Sequence, residues 1–301
     1  MSESNTVEDL LGMVKRRLGR SRWQAVGCSV RGAAHLRADT PNQDRIGLDP
    51  ESGTGDRVVI AVADGHGSAR YLRSATGAAL AVKAAQDCLR DFVVRLRRRR
   101  PTTATLAEEA QAIPRLIVDR WRSAVEQDLA TSPFTDEEVQ RLSALGEDVM
   151  ESVRANPPLA YGATLLAVLA TPRHVICWQL GDGDILGVSG NGTVERMVSR
   201  DPRLLGVETT SLCGRDAWND FRVAAHAVTD KGPRLVLLST DGYSNSFSDE
   251  ASFFRVGTDL ASIIRRDGLA AVRRQLPTWL EETSRDGSGD DISVGILRRT
   301  N

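Results

Sequence analysis

Residues 56–67 read DRVVIAVADGHG, and this stretch decides the fold. The apolar run from 58 to 63 is β-branched and too short for a helix, so it predicts a buried strand. The run stops at Asp64, a residue type depleted within strands, and Gly-His-Gly follows. A carboxylate at a strand end beside small residues is well placed for chemistry.

On the N-terminal side, WQAVGCSVRG (23–32) has a second strand pattern, and residues 1–20 read as a short amphipathic helix with Val7, Leu10, Leu11, Val14 and Leu18 on one side. On the C-terminal side, apolar positions at Leu72, Ala75, Ala79, Val82, Ala85, Leu89 and Val93 predict a long helix over 68–99, stopped by Pro101. Two further helices are expected over 104–155, the second introduced by Ser132 and Pro133, before Asn156, Pro157 and Pro158 break the pattern. Apolar runs at 163–170, 174–180 and 185–189 then predict an antiparallel meander with TP, GDGD and GNG turns. Strands near 221–228, 234–240 and 292–297 and helices between 248 and 283 complete the pattern. Runs of strands and runs of helices without βαβ alternation define an α+β class. No linker separates two domains, so a 1–20 helical extension and one domain over 21–301, with helical material at about 101–158, are expected. The residues alone leave open whether two sheets face each other or one sheet carries helices on one side.

Composition narrows the function. The chain of 301 residues is 41% hydrophobic and 26% charged, which suits a packed core and excludes wholesale disorder. With 39 basic and 40 acidic residues the net charge is -1, so no bulk field draws the protein to nucleic acid or anionic lipid. The run RLRRRR at 95–100 lies at a helix end, where basic groups complement the helix dipole, and reads as a solvated face. No apolar stretch approaches the roughly 20 residues of a membrane span, and the N-terminus lacks a secretion signal's apolar core, so a cytoplasmic protein is expected. Cys28, Cys88, Cys177 and Cys213 lie far apart without zinc or disulfide spacing and read as buried thiols.

The acidic residues carry the chemistry. Asp44 in PNQDR, Asp64 in ADGHG, Asp241 in STDGYS and the pair Asp290 and Asp291 in GDDIS all sit where apolar strands begin or end. Carboxylates converging without basic neighbours repel one another unless they neutralise a cation, and oxygen-only ligands point to Mg2+ or Mn2+. The GDGD turn at 181–184 is either a hairpin turn or a further acidic site. Two divalent ions about 3.5–4 Å apart can share a bridging water and stabilise an in-line displacement at phosphorus, with no protein nucleophile.

In chain order, NQD (42–44), DGHG (64–67), GATL (162–165), GDGD (181–184), TDG (240–242) and DD (290–291) resemble the motifs of the metal-dependent protein serine/threonine phosphatases of type 2C, the PPM family, over about 23–298. The resemblance implies a four-layer α/β/β/α sandwich with two central antiparallel β-sheets and two Mg2+ or Mn2+ ions in a cleft at one sheet edge. It implies Asp44, Asp64, Asp241 and Asp290 as metal ligands and Gly65 as a ligand through its carbonyl. It also implies Asp182 at a third, weaker metal site and Asp291 in an orienting or secondary role. His66 is the candidate general acid, against the alternative that it orients a ligand carboxylate. Where many bacterial members carry a phosphate-binding arginine this chain has Asp39, which leaves His35 and Arg37 as candidate phosphate contacts. The 199–219 segment, with Thr209, Thr210 and Ser211, falls where the family has a mobile flap. The expected activity is hydrolysis of phosphoserine and phosphothreonine in proteins, with a cognate kinase or a von Willebrand A-type protein as partner. The alternative is a pseudophosphatase or phosphoprotein-binding scaffold.

Overall fold

The computed structural model describes residues 22–96, 101–203 and 209–300. The expected 1–20 helix, Arg97 to Arg100 of the basic run and Glu208 of the flap motif lie outside the described residues. Two antiparallel sheets face each other. The first has the order β3 (Thr54–Gly55), β1 (Arg22–Val30), β11 (Ile292–Thr300), β10 (Pro233–Ser239), β7 (Asp184–Ser189), β8 (Val194–Arg196). The second has the order β2 (Arg45–Asp49), β4 (Val58–Ala63), β5 (Leu165–Ala170), β6 (His174–Leu180), β9 (Arg222–Ala227). This settles the alternative left open by the residues in favour of face-to-face sheets.

Strand alternation sends Ile60, Leu166, Val168, Val236, Leu238 and Leu297 into the space between the sheets. The opposite face of the second sheet is covered by α2 (Ser74–Leu96) with α3 (Thr103–Ala110), α4 (Ile113–Thr131), α5 (Asp136–Ala144) and α6 (Glu147–Ala155) around it. The outer face of the first sheet packs on α8 (Glu250–Asp267) and α9 (Leu269–Asp286). Two short helices, α1 (Ala33–Ala38) and α7 (Asp241–Ser244), lie at one end of the sandwich. Three fully buried tryptophans tie the elements together. Trp23 Nε1 donates across the sheets to the Thr171 carbonyl (2.8 Å), Trp178 Nε1 to Ala110 in α3 (2.9 Å) and Trp121 Nε1 to Gly77 in α2 (3.0 Å). Each contact buries a large ring without leaving its N–H unpaired.

Three sequence expectations change. The apolar runs at 165–170, 174–180 and 184–189 do not form one meander: β5 pairs with β6, but β7 pairs with β10 and β8 in the other sheet. GDGD is therefore a crossing between sheets rather than a hairpin. Four helices, not two, fill 103–155, with Thr135 and Glu138 forming a capping box at the start of α5. The long helix begins at Ser74 rather than 68, because backbone donors before it are taken elsewhere: His66 N by the Gly162 carbonyl and Arg73 N by the Ala160 carbonyl.

Arg73 also ties these helices together. Its guanidinium donates to Glu138 Oε1 and Oε2 (2.8 and 2.7 Å), the Ser132 carbonyl (2.6 Å) and Tyr161 Oη (2.7 Å), and Tyr161 Oη donates to Asp128 Oδ2 (2.6 Å). Glu138 holds the Arg73 guanidinium above its ordinary value, and Arg73 holds the Glu138 carboxyl below its own.

Gly77 lies inside α2, where alanine ordinarily gains about 1 kcal/mol. A Cβ there would sit 1.8 Å from the Tyr161 carbonyl oxygen. Gly77→Ala is expected to lower stability by about 1–3 kcal/mol in urea unfolding, reversing the helix-propensity sign; an unchanged or raised midpoint would refute the contact.

Candidate metal centre

The antiparallel registers bring functional strand ends to one edge of the sandwich. Arg45 faces Ala63, Leu165 faces Leu180, and Ser239 faces both Asp184 and Val294. The residues just beyond these ends are therefore neighbours. A cavity of about 620 Å3 opens there, lined by Asp64, Asp182, Asp241 and Asp290 together with His35 and His66.

Each carboxylate is held by its backbone setting. Asp64 follows β4, its N–H donating to Thr164 Oγ1 (3.1 Å) while its carbonyl accepts from Thr164 N (2.8 Å). Gly65 forms a bridge with Ala163, and a Cβ on it would lie 2.6 Å from the Ser74 carbonyl oxygen and 2.7 Å from that of Gln43, so only glycine fits. Asp44 is buried behind the cavity, with Oδ2 accepting from Thr240 Oγ1 (2.7 Å). Asp241 opens α7, where Oδ2 accepts from Asn245 (3.0 Å) and buried Oδ1 has no hydrogen-bond partner among the described residues. Asp290 Oδ1 accepts from Asp291 N (2.8 Å).

The electrostatics expose the strain. Asp44 and Asp64 are pushed well above the usual carboxylate range, first by burial and then by neighbouring carboxylates: Asp291 and Asp241 act on Asp44, while Asp44, Asp241 and Asp290 act on Asp64. Asp182 rises to about 6 from burial and from Asp241, and burial also raises Asp290. A converging set of carboxylates with an orphaned oxygen on Asp241 is a donor set that divalent cations fit, since hard cations take oxygen ligands. Ligand atoms of His35, Asp290 and Asp291 also lie within 4.8 Å of one another.

Other expected residues divide. His35 lines the cavity, with Nδ1 2.9 Å from Asp291 Oδ2 and Nε2 3.7 Å from Asp290 Oδ1, whereas Arg37 is exposed and outside the lining. Arg37 thus stands apart from the group that His35 joins. Asp291 is 3% exposed and spends its oxygens on Gly32 N and Gln43 N, each at 2.6 Å, tying the 32–43 loop to the start of β11. His66 packs on Tyr71 with ring centroids 4.7 Å apart. Burial and then Arg70 push it down to about 4, so at neutral pH the ring is uncharged, which opposes the general-acid expectation. Of the flap trio only Thr209 lines the cavity. Thr210 Oγ1 accepts from Gly181 N (2.9 Å) and Ser211 Oγ donates to the Ala163 carbonyl (3.3 Å), so these two fasten the segment to the cavity floor.

Sequence reasoning missed Arg70. Among the described residues it is the one arginine in the cavity lining, its guanidinium stacked 4.7 Å from the Tyr71 ring centre and Nη2 donating to Tyr71 Oη (2.7 Å). Its only signal was a position six residues beyond Asp64, inside what read as helix.

A helix-flanked double sheet with a carboxylate-lined cleft at one edge defines a class of metal-dependent phosphatase. The chain belongs to the protein phosphatase 2C family of protein serine/threonine phosphatases, whose model matches residues 31–281. Its fold is similar to that of the catalytic domain of the serine/threonine phosphatase PstP in complex with two manganese ions (TM-score 0.53, 18% identity, 93% of this chain and 100% of that one). Serine-threonine phosphatase 2C from Toxoplasma gondii (TM-score 0.55, 17% identity, 93% and 95% covered) and Stp1 from Staphylococcus aureus (TM-score 0.54, 13% identity, 92% and 95% covered) share it too. No curated protein sequence gives a significant match. Among the described residues no helix is long and apolar enough to cross a membrane.

The raised carboxyl values have a signed consequence. A folded-state value above the unfolded one means that the folded protein binds more protons, so stability falls as pH rises through that interval. In EDTA the melting temperature is expected to drop as pH passes from about 4 through Asp182's value near 6, and Mn2+ should reverse the drop. In EDTA at pH 7.5, Asp64→Asn should melt a few degrees above wild type; an equal or lower melting temperature would argue against mutual repulsion.

Proposed function

We propose that this chain hydrolyses phosphoserine and phosphothreonine esters in proteins. Asp44, Asp64, Asp241 and Asp290, with the Gly65 carbonyl, would hold two divalent ions, Mg2+ or Mn2+, and Asp182 a third, weaker one. The observation that supports this most is the forced convergence of carboxylates around Asp241, whose Oδ1 has no hydrogen-bond partner among the described residues. Bound ions there would supply Lewis acidity, activating a water and stabilising charge on the phosphoryl oxygens.

The chain's own residues supply position. Asp291 and Thr240 fix the loops that carry Asp44 and Asp290. His66, neutral and held by Tyr71, orients the Asp64 region rather than carrying a positive charge, and added cations would disfavour imidazolium further. Arg70 makes no ion pair with a described carboxylate and lines the cavity, so its fork is available to a phosphoryl oxygen, whereas Arg37 is exposed and not in the lining. His35, between Asp290 and Asp291, belongs with the carboxylates and does not present a free cation. The signalling partner we propose is a phosphoprotein, either a cognate serine/threonine kinase or a von Willebrand A-type protein. Residues 21–301 act as one phosphatase domain in this reading.

Hydrolysis of p-nitrophenyl phosphate with Mn2+, Mg2+ or EDTA tests the reading. Asp64→Asn and Asp241→Asn should each lose about 100-fold or more, and EDTA should abolish turnover. Well-folded wild type that binds metal yet turns over neither this ester nor a phosphothreonine peptide would make the chain a phosphoprotein-binding scaffold. Arg70→Ala should raise KM for the ester about tenfold, with Arg37→Ala within about twofold of wild type; equal effects would remove Arg70's assignment.

A further inference from the structure

The GDGD crossing leaves the second sheet at Leu180 and enters the first at Asp184, carrying Asp182 between them. Its carbonyls lie past the last facing pair of the β6–β9 ladder, Gln179 with Arg222, so they take partners from outside the sheet. That same pair supplies them. Gln179 Nε2 donates to the Gly183 carbonyl (2.5 Å) and, at longer range, to that of Gly181 (3.5 Å). Arg222 Nη2 donates to the Gly181 carbonyl as well (2.6 Å), while its Nη1 donates to the Ser199 carbonyl (2.6 Å) at the start of the 199–219 segment. The residue between the two held carbonyls is Asp182.

Arg222 spends its fork differently from the arginines around it. Arg196 is paired to Asp184 and Glu250, and Arg203 to Asp201 and Asp220, whereas Arg222 makes no ion pair with a described carboxylate and bridges two loops through their carbonyls. Burial works against its charge, lowering the guanidinium from its ordinary value, with Asp201 the first group to oppose this. Two nitrogens at a fixed spacing can hold two carbonyls in register, which the single ammonium of lysine does not do.

The position of Asp182 gives this clamp a task. Asp182 lines the 620 Å3 cavity and also a second one of about 390 Å3, which Gln179, Arg222 and Asp241 line too. It therefore stands in the wall between the two, and a crossing free to turn would offer its carboxylate to either side. We propose that Arg222, with Gln179 opposite it, is the positioning residue for Asp182, fixing the crossing so that this carboxylate serves the cleft of the metal centre. The role rests on the reading of Asp182 as the ligand of a weaker divalent ion.

The test titrates the full-length chain with Mn2+ by calorimetry, in wild type, Asp182→Ala, Arg222→Met and Arg222→Lys, with a urea midpoint for each variant. Wild type is expected to show a weaker class of Mn2+ that Asp182→Ala removes. Arg222→Met should weaken that class about tenfold or more and leave the tighter class within about twofold, as loss of a ligand's supporting contact does. Arg222→Lys keeps the charge without the fork and should remain weakened. Wild-type affinity for the weaker class in Arg222→Met, or its full restoration by Arg222→Lys, overturns the proposal. Equal weakening of both classes also overturns it, since that is the mark of a merely structural arginine. If Asp182→Ala retains the weaker class, the reading of Asp182 as a ligand fails, and the positioning role falls with it; loss in Asp182→Ala with retention in Arg222→Met removes the positioning role alone. Should Arg222→Met not fold, Gln179→Met, which gives up the Gly183 contact, takes its place in the same comparison.

Discussion

Repulsion between carboxylates is the constraint on which this molecule turns. Asp44, Asp64, Asp182, Asp241 and Asp290 come from both sheets and from the turns between them, and beyond the cost of burial Asp44, Asp241 and Asp290 make the carboxyls beside them harder to ionise. Nothing local would bring them together. The sandwich does so because its interior is apolar and its layers are joined by buried indole hydrogen bonds, so the energy of packing is spent on holding like charges at one edge. The backbone around them is correspondingly over-determined, with Thr164, Thr240 and Asp291 each anchoring a carboxylate-bearing segment.

What could be read from the sequence follows from what is local. The strand at 58–63, the acidic strand ends and the ordered motifs rest on short patterns, and the structure places Asp64, Asp182, Asp241 and Asp290 around one cavity. The partnership of strands was not legible. Apolar runs at 174–180 and 184–189 look alike whether they share a sheet or face each other, and only pairing shows that GDGD carries the chain across the core. Arg70 was hidden for a similar reason: its surroundings have helix-forming composition, but tertiary hydrogen bonds to Ala160 and Gly162 keep the segment out of the helix and in the cavity wall.

A net charge of -1 conceals a strong separation of charge. One end of the first sheet gathers carboxylates and the other gathers arginines, some ten residues of extended chain apart along β11 and its flanks. Summation over the sequence erased a pattern that only strand direction creates. Bulk neutrality therefore spoke to the absence of a global field, and not to the absence of local clusters of like charge.

Arg73 stands just before α2, yet it holds Glu138 of α5, carbonyls at Ser132 and Pro133, and Tyr161 beyond α6. Helices α3 to α6 cannot then be treated as an independent cassette. In a chimera that takes this segment from a distant relative, Glu138 and Asp128 would arrive without their guanidinium, or Arg73 would be left facing apolar surface. The four residues Arg73, Asp128, Glu138 and Tyr161 are a compatibility code: a grafted segment keeps this tie only when both sides of the code travel together.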